Sequence, residues 1–235
     1  EPVQARPGFA PDDAHPWIGN PKDPARHERA KKVRQAMAFA IDRKTSNDAI
    51  LGGLGRVAYI PGIPLDAADW DNKWNVPFDP DRAKALLKEA GYPNGFDFNF
   101  WIPSDFPNVD IELSQAVAAM WENIGLRPKI VLLAYTAGRP NLLEKKQNEP
   151  WMWFMAGDAV QYNNAHLTSA RYINHAGWNG AVEIPELGDF YNRWLNAQKE
   201  PHAKQVAIFK ERSDWLREWM PFVAVADVPS LFVVN

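Results

Sequence analysis

An α/β fold is expected from three consecutive stretches of the chain. Phe96, Phe98 and Phe100 alternate with Asp97 and Asn99, the period of a half-buried strand. From about Val109 to Asn123, Leu113, Ala116, Val117, Met120 and Trp121 mark one side of a helix that Gly125 ends, and Lys129 to Tyr135 then reads as a second strand. Strand, helix and strand in that order imply a right-handed crossover between parallel strands of one sheet.

The other elements follow in chain order. Glu1 to about Arg26 is rich in Pro, Asp and Gly without period and reads as an extended connection. Val33, Met37, Ala40 and Ile41 give a helix over Arg29 to Asp42. Thr45 is expected to cap a second, short helix that Gly52-Gly53 ends. Arg56 to Phe78, with Pro61, Pro64, Pro77, Trp70 and Trp74, is too interrupted for a long helix and reads as an ordered aromatic loop. Asp79-Pro80 starts a helix with Ala83, Leu86, Leu87 and Ala90 on its apolar face, stopped by Gly91.

Beyond the crossover, Thr136 to Gln147 is expected to be a helix weakened by Gly138 and Pro140, and Trp151 to Ala156 a short strand. Two further helices carry stripes of Leu187, Phe190, Tyr191, Trp194 and Leu195, and of Val206, Phe209, Trp215, Leu216 and Trp219, the second opening at Pro201. Phe222 to Val228 reads as a closing strand. The resulting organisation is an extended segment over 1–28 and a single α/β lobe over 29–235.

Composition excludes several function classes. The 26 basic against 29 acidic residues give a net charge of -3, so a nucleic-acid partner is not expected. The apolar share of 46% and charged share of 23% are those of a globular protein, and no apolar run approaches a membrane span. With no cysteine there is no disulfide, thiolate nucleophile or Cys-ligated metal, and His15, His27, His166, His175 and His202 lack ligand spacing. No metal or other cofactor is therefore expected. Gly52-Gly53-Leu54-Gly55 ends a helix where a phosphate-binding loop would open one, and no Gly-x-Ser-x-Gly is present. Catalysis finds no support.

The remaining feature is aromatic. Trp151, Trp153 and Phe154 lead into Gly157-Asp158, which places a carboxylate just past the carboxyl end of an expected strand, where α/β sheets bind ligands. Buried tryptophans more often serve the core, and an aspartate after a strand serves a turn or a helix cap as readily as a ligand.

Several segments together resemble one family. They are Val33-Arg34-Gln35-Ala36-Met37-Ala38-Phe39-Ala40-Ile41-Asp42-Arg43, Ile50 to Gly55, Ile60-Pro61-Gly62-Ile63-Pro64, and Phe78-Asp79-Pro80 with Ala83 to Tyr92. In this order they are similar to the family 5 extracellular solute-binding proteins of peptide, nickel and oligosaccharide ABC importers. The resemblance implies the second α/β lobe of a two-lobed, periplasmic-binding-protein-like fold, a mixed sheet flanked by helices, as a fragment of a longer chain. It implies a protein outside the cytoplasmic membrane, periplasmic or extracellular and in some cases membrane-anchored. Its partners would be a small-molecule or peptide ligand, a permease and the missing first lobe.

In peptide-binding members an aspartate after the Trp-containing strand pairs with the ligand's terminal ammonium, and Asp158 matches it. Trp153, Met155, Tyr162 and Asn163 are the accompanying ligand-binding residues, with Met155 where peptide binders commonly have Trp. The polar run Gln161 to Asn164 equally suits a sugar-like ligand, and a lobe kept only for protein contact is the reading from another class. Arg34 and Asp42 lie off the apolar face, where a solvated position is the commoner fate.

Overall fold

The computed structural model describes residues 14–20, 22–61, 63, 65–105, 111–143, 149–150, 152 and 185–228. Helix α1 spans Pro24–Phe39 and buries Ala30, Val33, Ala36, Met37 and Ala38. It starts five residues before the expected Arg29, because Asp23 accepts a hydrogen bond from the Arg26 amide at 3.0 Å and Pro24 supplies a preset first turn. Helix α2, Arg43–Ile50, is capped by Asp42. The expected cap, Thr45, is instead the donor: its amide and hydroxyl reach the two Asp42 carboxylate oxygens at 3.0 and 2.8 Å.

Strand β1 is only Arg56–Val57, inside the segment expected to be a loop. The loop that follows buries Trp74 completely and stacks Trp70 edge-on against it at 5.4 Å. Helix α3, Pro80–Glu89, has the expected Asp79 cap and buries Ala83, Leu86 and Leu87. Strand β2 covers Asp97–Pro103, α4 Ile111–Glu122, and β3 Arg127–Leu133. β2 and β3 pair parallel, Asp97 opposite Arg127 and Pro103 opposite Leu133, as the strand–helix–strand order requires. The turn into β2 passes so close to the turn into β3 that a Cβ on Gly95 would stand 1.8 Å from the Gly125 carbonyl oxygen. Gly95 also has φ +65°, so only glycine fits.

Helix α5 spans Tyr135–Leu143, α6 Pro185–Asn196 and α7 His202–Trp219. Leu187, Phe190 and Trp194 of α6 are buried, but Leu195 is exposed, because the buried stripe at intervals of three and four is narrower than the sequence suggested. The buried face of α7 is Ile208, Phe209, Arg212, Ser213 and Leu216. Met220 turns the chain in a left-handed conformation, and β4, Ala226–Asp227, pairs antiparallel with β1. The expected strand from Phe222 narrows to these two residues; the Ala58 amide still donates to the opposite Val225 carbonyl at 3.3 Å, and the next carbonyl, Ala224, accepts from the Arg43 side chain instead.

Two cores result among the described residues. The first runs from Val33 to Leu126 and packs α1, α3 and α4 on one face of β2 through Phe98, Phe100 and Ile102. The second joins Ile60, Ile63 and Trp74 to α6 and α7. Ala38, Val76 and Met220 form a third, small cluster, with Phe39, Tyr59 and Val223 packed against it. No described helix is long and apolar enough to cross a membrane.

Candidate functional site: the carboxyl edge of the parallel sheet

The edge at which β2 and β3 end is built from Ser104, Asp105 and the start of α5. The Ser104 amide donates to the Leu133 carbonyl at 3.0 Å and extends the parallel ladder by one step. Asp105 accepts from the Tyr135 amide at 2.6 Å. That bond satisfies one of the free amides of the α5 terminus and ties the loop after β2 to the helix after β3. The positive end of the α5 dipole is thereby held at the sheet edge.

A third chain segment reaches the same edge. The Trp101 amide donates to the Pro150 carbonyl at 3.0 Å, and the Met152 amide donates to the Trp101 carbonyl at 2.9 Å. One residue bonded to both neighbours of residue 151 is the pattern of a parallel ladder. Glu149 fixes its register by accepting from the Asn99 amide at 3.2 Å and from the Asn99 side-chain amide at 3.1 Å. The segment lies on the side of β2 opposite β3 and runs in the same direction, so at Met152 the chain is heading for the carboxyl edge.

Trp153, Met155, Asp158, Tyr162 and Asn163, the residues singled out from the sequence, lie outside the described residues, as does most of the expected Trp151–Ala156 strand. Asp105, Asn99 and Glu149 were not singled out. The signal for Asp105 was present in Ser104-Asp105, a polar pair closing an apolar run; Asn99 to Glu149 spans fifty residues and has no local signature. Two hollows of the described surface lie away from this edge. One, lined by Asn94, Glu122, Leu126, Arg127 and Lys129, is at the opposite, amino end of the sheet. The other, between α6 and α7, is lined by ion-paired side chains such as Arg193 with Glu211 and Lys204 with Glu200. No group of three or more His, Cys, Asp or Glu among the described residues can hold a metal ion.

The sequence pattern of the bacterial extracellular solute-binding proteins, family 5, middle region, matches residues 16–180. The chain belongs to family 5. A dipeptide-binding protein of Escherichia coli is 34% identical over 209 residues, covering 83% of this chain and 37% of the relative. Heme-binding protein A of Haemophilus influenzae is 39% identical over 100 residues, covering 41% of this chain and 18% of the relative. Among solved structures, the periplasmic binding protein DppA from Helicobacter pylori in complex with the peptide STSA superposes with TM-score 0.69 at 20% identity, over 88% of this chain and 40% of that one. The chain thus spans about two fifths of the length of such family 5 proteins or less. Its fold is that of one part of the two-lobed periplasmic binding proteins, and family 5 comprises extracellular or periplasmic binding proteins rather than enzymes.

Proposed function

We propose that this chain is the second lobe of the solute-binding component of an ABC importer, which captures a peptide-like or other small polar solute between two lobes and delivers it to a membrane permease. It would do so outside the cytoplasmic membrane, in the periplasm or at the cell surface, without catalysis. The observation that carries the reading is the 149–152 segment, fastened parallel to β2 by Glu149 and Trp101 and directed at the edge where Asp105 holds the α5 terminus. In an α/β lobe, residues delivered past that edge face the ligand crevice.

Asp158 is then the partner of a ligand ammonium, with Trp153, Met155, Tyr162 and Asn163 around it. Closure of the lobes excludes water, and the charge-assisted bond strengthens as its surroundings lose solvent. Removing one side of such a desolvated pair costs about 2 kcal/mol or more, roughly a thirtyfold loss of affinity. Titration calorimetry of the complete protein with a panel of dipeptides is the test. Asp158→Ala should weaken binding by that factor with the thermal transition unchanged; equal affinity in the variant removes Asp158 from the site. Binding of an oligosaccharide and of no dipeptide would transfer the role to the polar run at Gln161 to Asn164.

A further inference from the structure

The segment that passes Trp101 carries no register in its own sequence. Trp151-Met152-Trp153-Phe154-Met155-Ala156 is apolar at every position, so its two faces are alike and alternation cannot choose one pairing over the next. The choice has to come from outside the run.

Pro150 makes it in one direction. The Trp101 amide donates to the Pro150 carbonyl, and the Met152 amide donates to the Trp101 carbonyl. A shift of the segment by two residues towards the carboxyl edge would put Pro150 where Met152 now donates, and proline has no N–H. That shift is closed. The reverse shift is open and even adds a step to the ladder: the Asn99 amide would donate to the Pro150 carbonyl, and the Met152 amide to the Asn99 carbonyl.

Glu149 opposes this second shift. Its carboxylate takes the Asn99 amide, which a regular ladder would give to a main-chain carbonyl, at 3.2 Å through Oε2, and the Asn99 side-chain amide at 3.1 Å through Oε1. Moving the segment back by two residues would carry the carboxylate about 6–7 Å from Asn99 and break both charge-assisted bonds. It would also draw everything beyond Met152 back from the carboxyl edge by the same distance. We infer that Glu149 and Asn99 form a register clamp and are positioning residues for ligand capture, setting the depth at which the chain beyond Met152 enters the crevice. This inference rests on the solute-binding reading above.

The test uses the complete protein and reads the register directly. This chain has no cysteine, so introduced pairs have no competitor within it, and peptide mapping by mass identifies each cross-link. Residues opposite one another on adjacent strands lie about 4.8 Å apart, within reach of a disulfide, whereas an offset of two residues gives roughly 8 Å, which is out of reach. Trp101→Cys with Trp151→Cys should therefore cross-link in the parent, and Trp101→Cys with Trp153→Cys should not. In Glu149→Ala the second pair should form at the expense of the first. Glu149→Gln, whose amide can still accept from the Asn99 amide and donate to the Asn99 side-chain oxygen, should keep the parent pattern. Without the cysteines, Glu149→Ala should bind dipeptides roughly tenfold more weakly well below its melting temperature, as expected if one molecule in ten keeps the parent register. A role in stability alone would lower the thermal midpoint and leave cross-links and affinity as in the parent; that result overturns the proposal, as does a slip in Glu149→Gln equal to that in Glu149→Ala. If Glu149→Ala does not fold, Asn99→Ala is measured in its place, and if neither folds the proposal falls. A parent that binds no dipeptide removes the peptide reading instead, and the cross-links alone then decide the clamp.

Discussion

Trp74 shows how a single side chain organises the second core. Its ring is wholly buried, meets Phe209 edge-on at 6.0 Å, and donates its indole N–H to Asp214 at 2.7 Å. Trp74→Ala should cost about 3–5 kcal/mol in urea unfolding, the range for a truncated core aromatic. Trp74→Phe should cost less, since Lys73 still engages Asp214 at 2.8 Å. His27 makes a pH prediction. Its ring lies 4.6 Å from Trp219, its Nδ1 has no hydrogen-bond partner, and desolvation, followed by the Arg34 charge, lowers its pKa below 6.5. Protonation is then harder in the folded state than in the unfolded. Stability should be unaffected above pH 6.5, fall as the pH drops from 6.5 to the folded-state pKa, and be flat below it. A pH series of thermal melts should lose that slope in His27→Gln. Arg34 marks a limit of reading one residue at a time. A solvated face was the commoner expectation, yet its guanidinium reaches the Trp219 carbonyl at 3.0 Å and the Trp17 carbonyl at 2.7 Å, and burial lowers its pKa to about 10. Those partners are 185 and 17 residues away, beyond any helical period.

At the scale of elements, capping chemistry was legible wherever it was local. Asp79-Pro80 started α3 as expected, and Asp79→Ala should lower stability by about 1 kcal/mol, measured as a lower urea midpoint at constant slope. Asp23-Pro24 carries the same signal, but it was submerged in a proline-rich stretch that reads as extended, which is why α1 begins earlier than expected. At α2 two competent caps stand three residues apart. Asp42 prevails over Thr45 because an ionised carboxylate accepts both donors that Thr45 offers, and because its own amide is occupied by the Met120 sulfur at 3.2 Å. The parallel crossover was readable because its two strands are long enough to show alternation and composition. Two-residue strands such as β1 and β4 have no period, so their pairing appears only in the structure. The sequence pointed to the carboxyl edge as the place to look, but the Asn99–Glu149 bond that aims the third segment is tertiary and left no trace in spacing.

Across the whole molecule, the two cores differ in how they draw on the sequence. Every buried member of the first lies between Val33 and Leu126, whereas the second gathers residues from Ile60 to Leu216. Stretches that are local in sequence form units that open together, so native-state hydrogen exchange should protect β2, α4 and α1 more strongly than α6 and α7. Equal protection throughout would show one cooperative unit instead. The family resemblance in the sequence was concentrated in α1, α2 and α3 and in the Ile60–Pro64 segment, whose Ile60 and Ile63 belong to the second core.

The β1–β4 ribbon sets an order of events during synthesis. Residues 56 and 57 have to wait for residues 226 and 227, and Arg43 for Ala224, 181 positions later. At about 5–20 residues per second on the ribosome, that wait is on the order of ten seconds or more. Once Leu126 has been made the first core has all its buried members, while the second is still without α6 and α7. A nascent chain of this protein therefore carries a finished half beside an open apolar surface built around Ile60, Ile63 and Trp74, and that surface is what a chaperone would meet first.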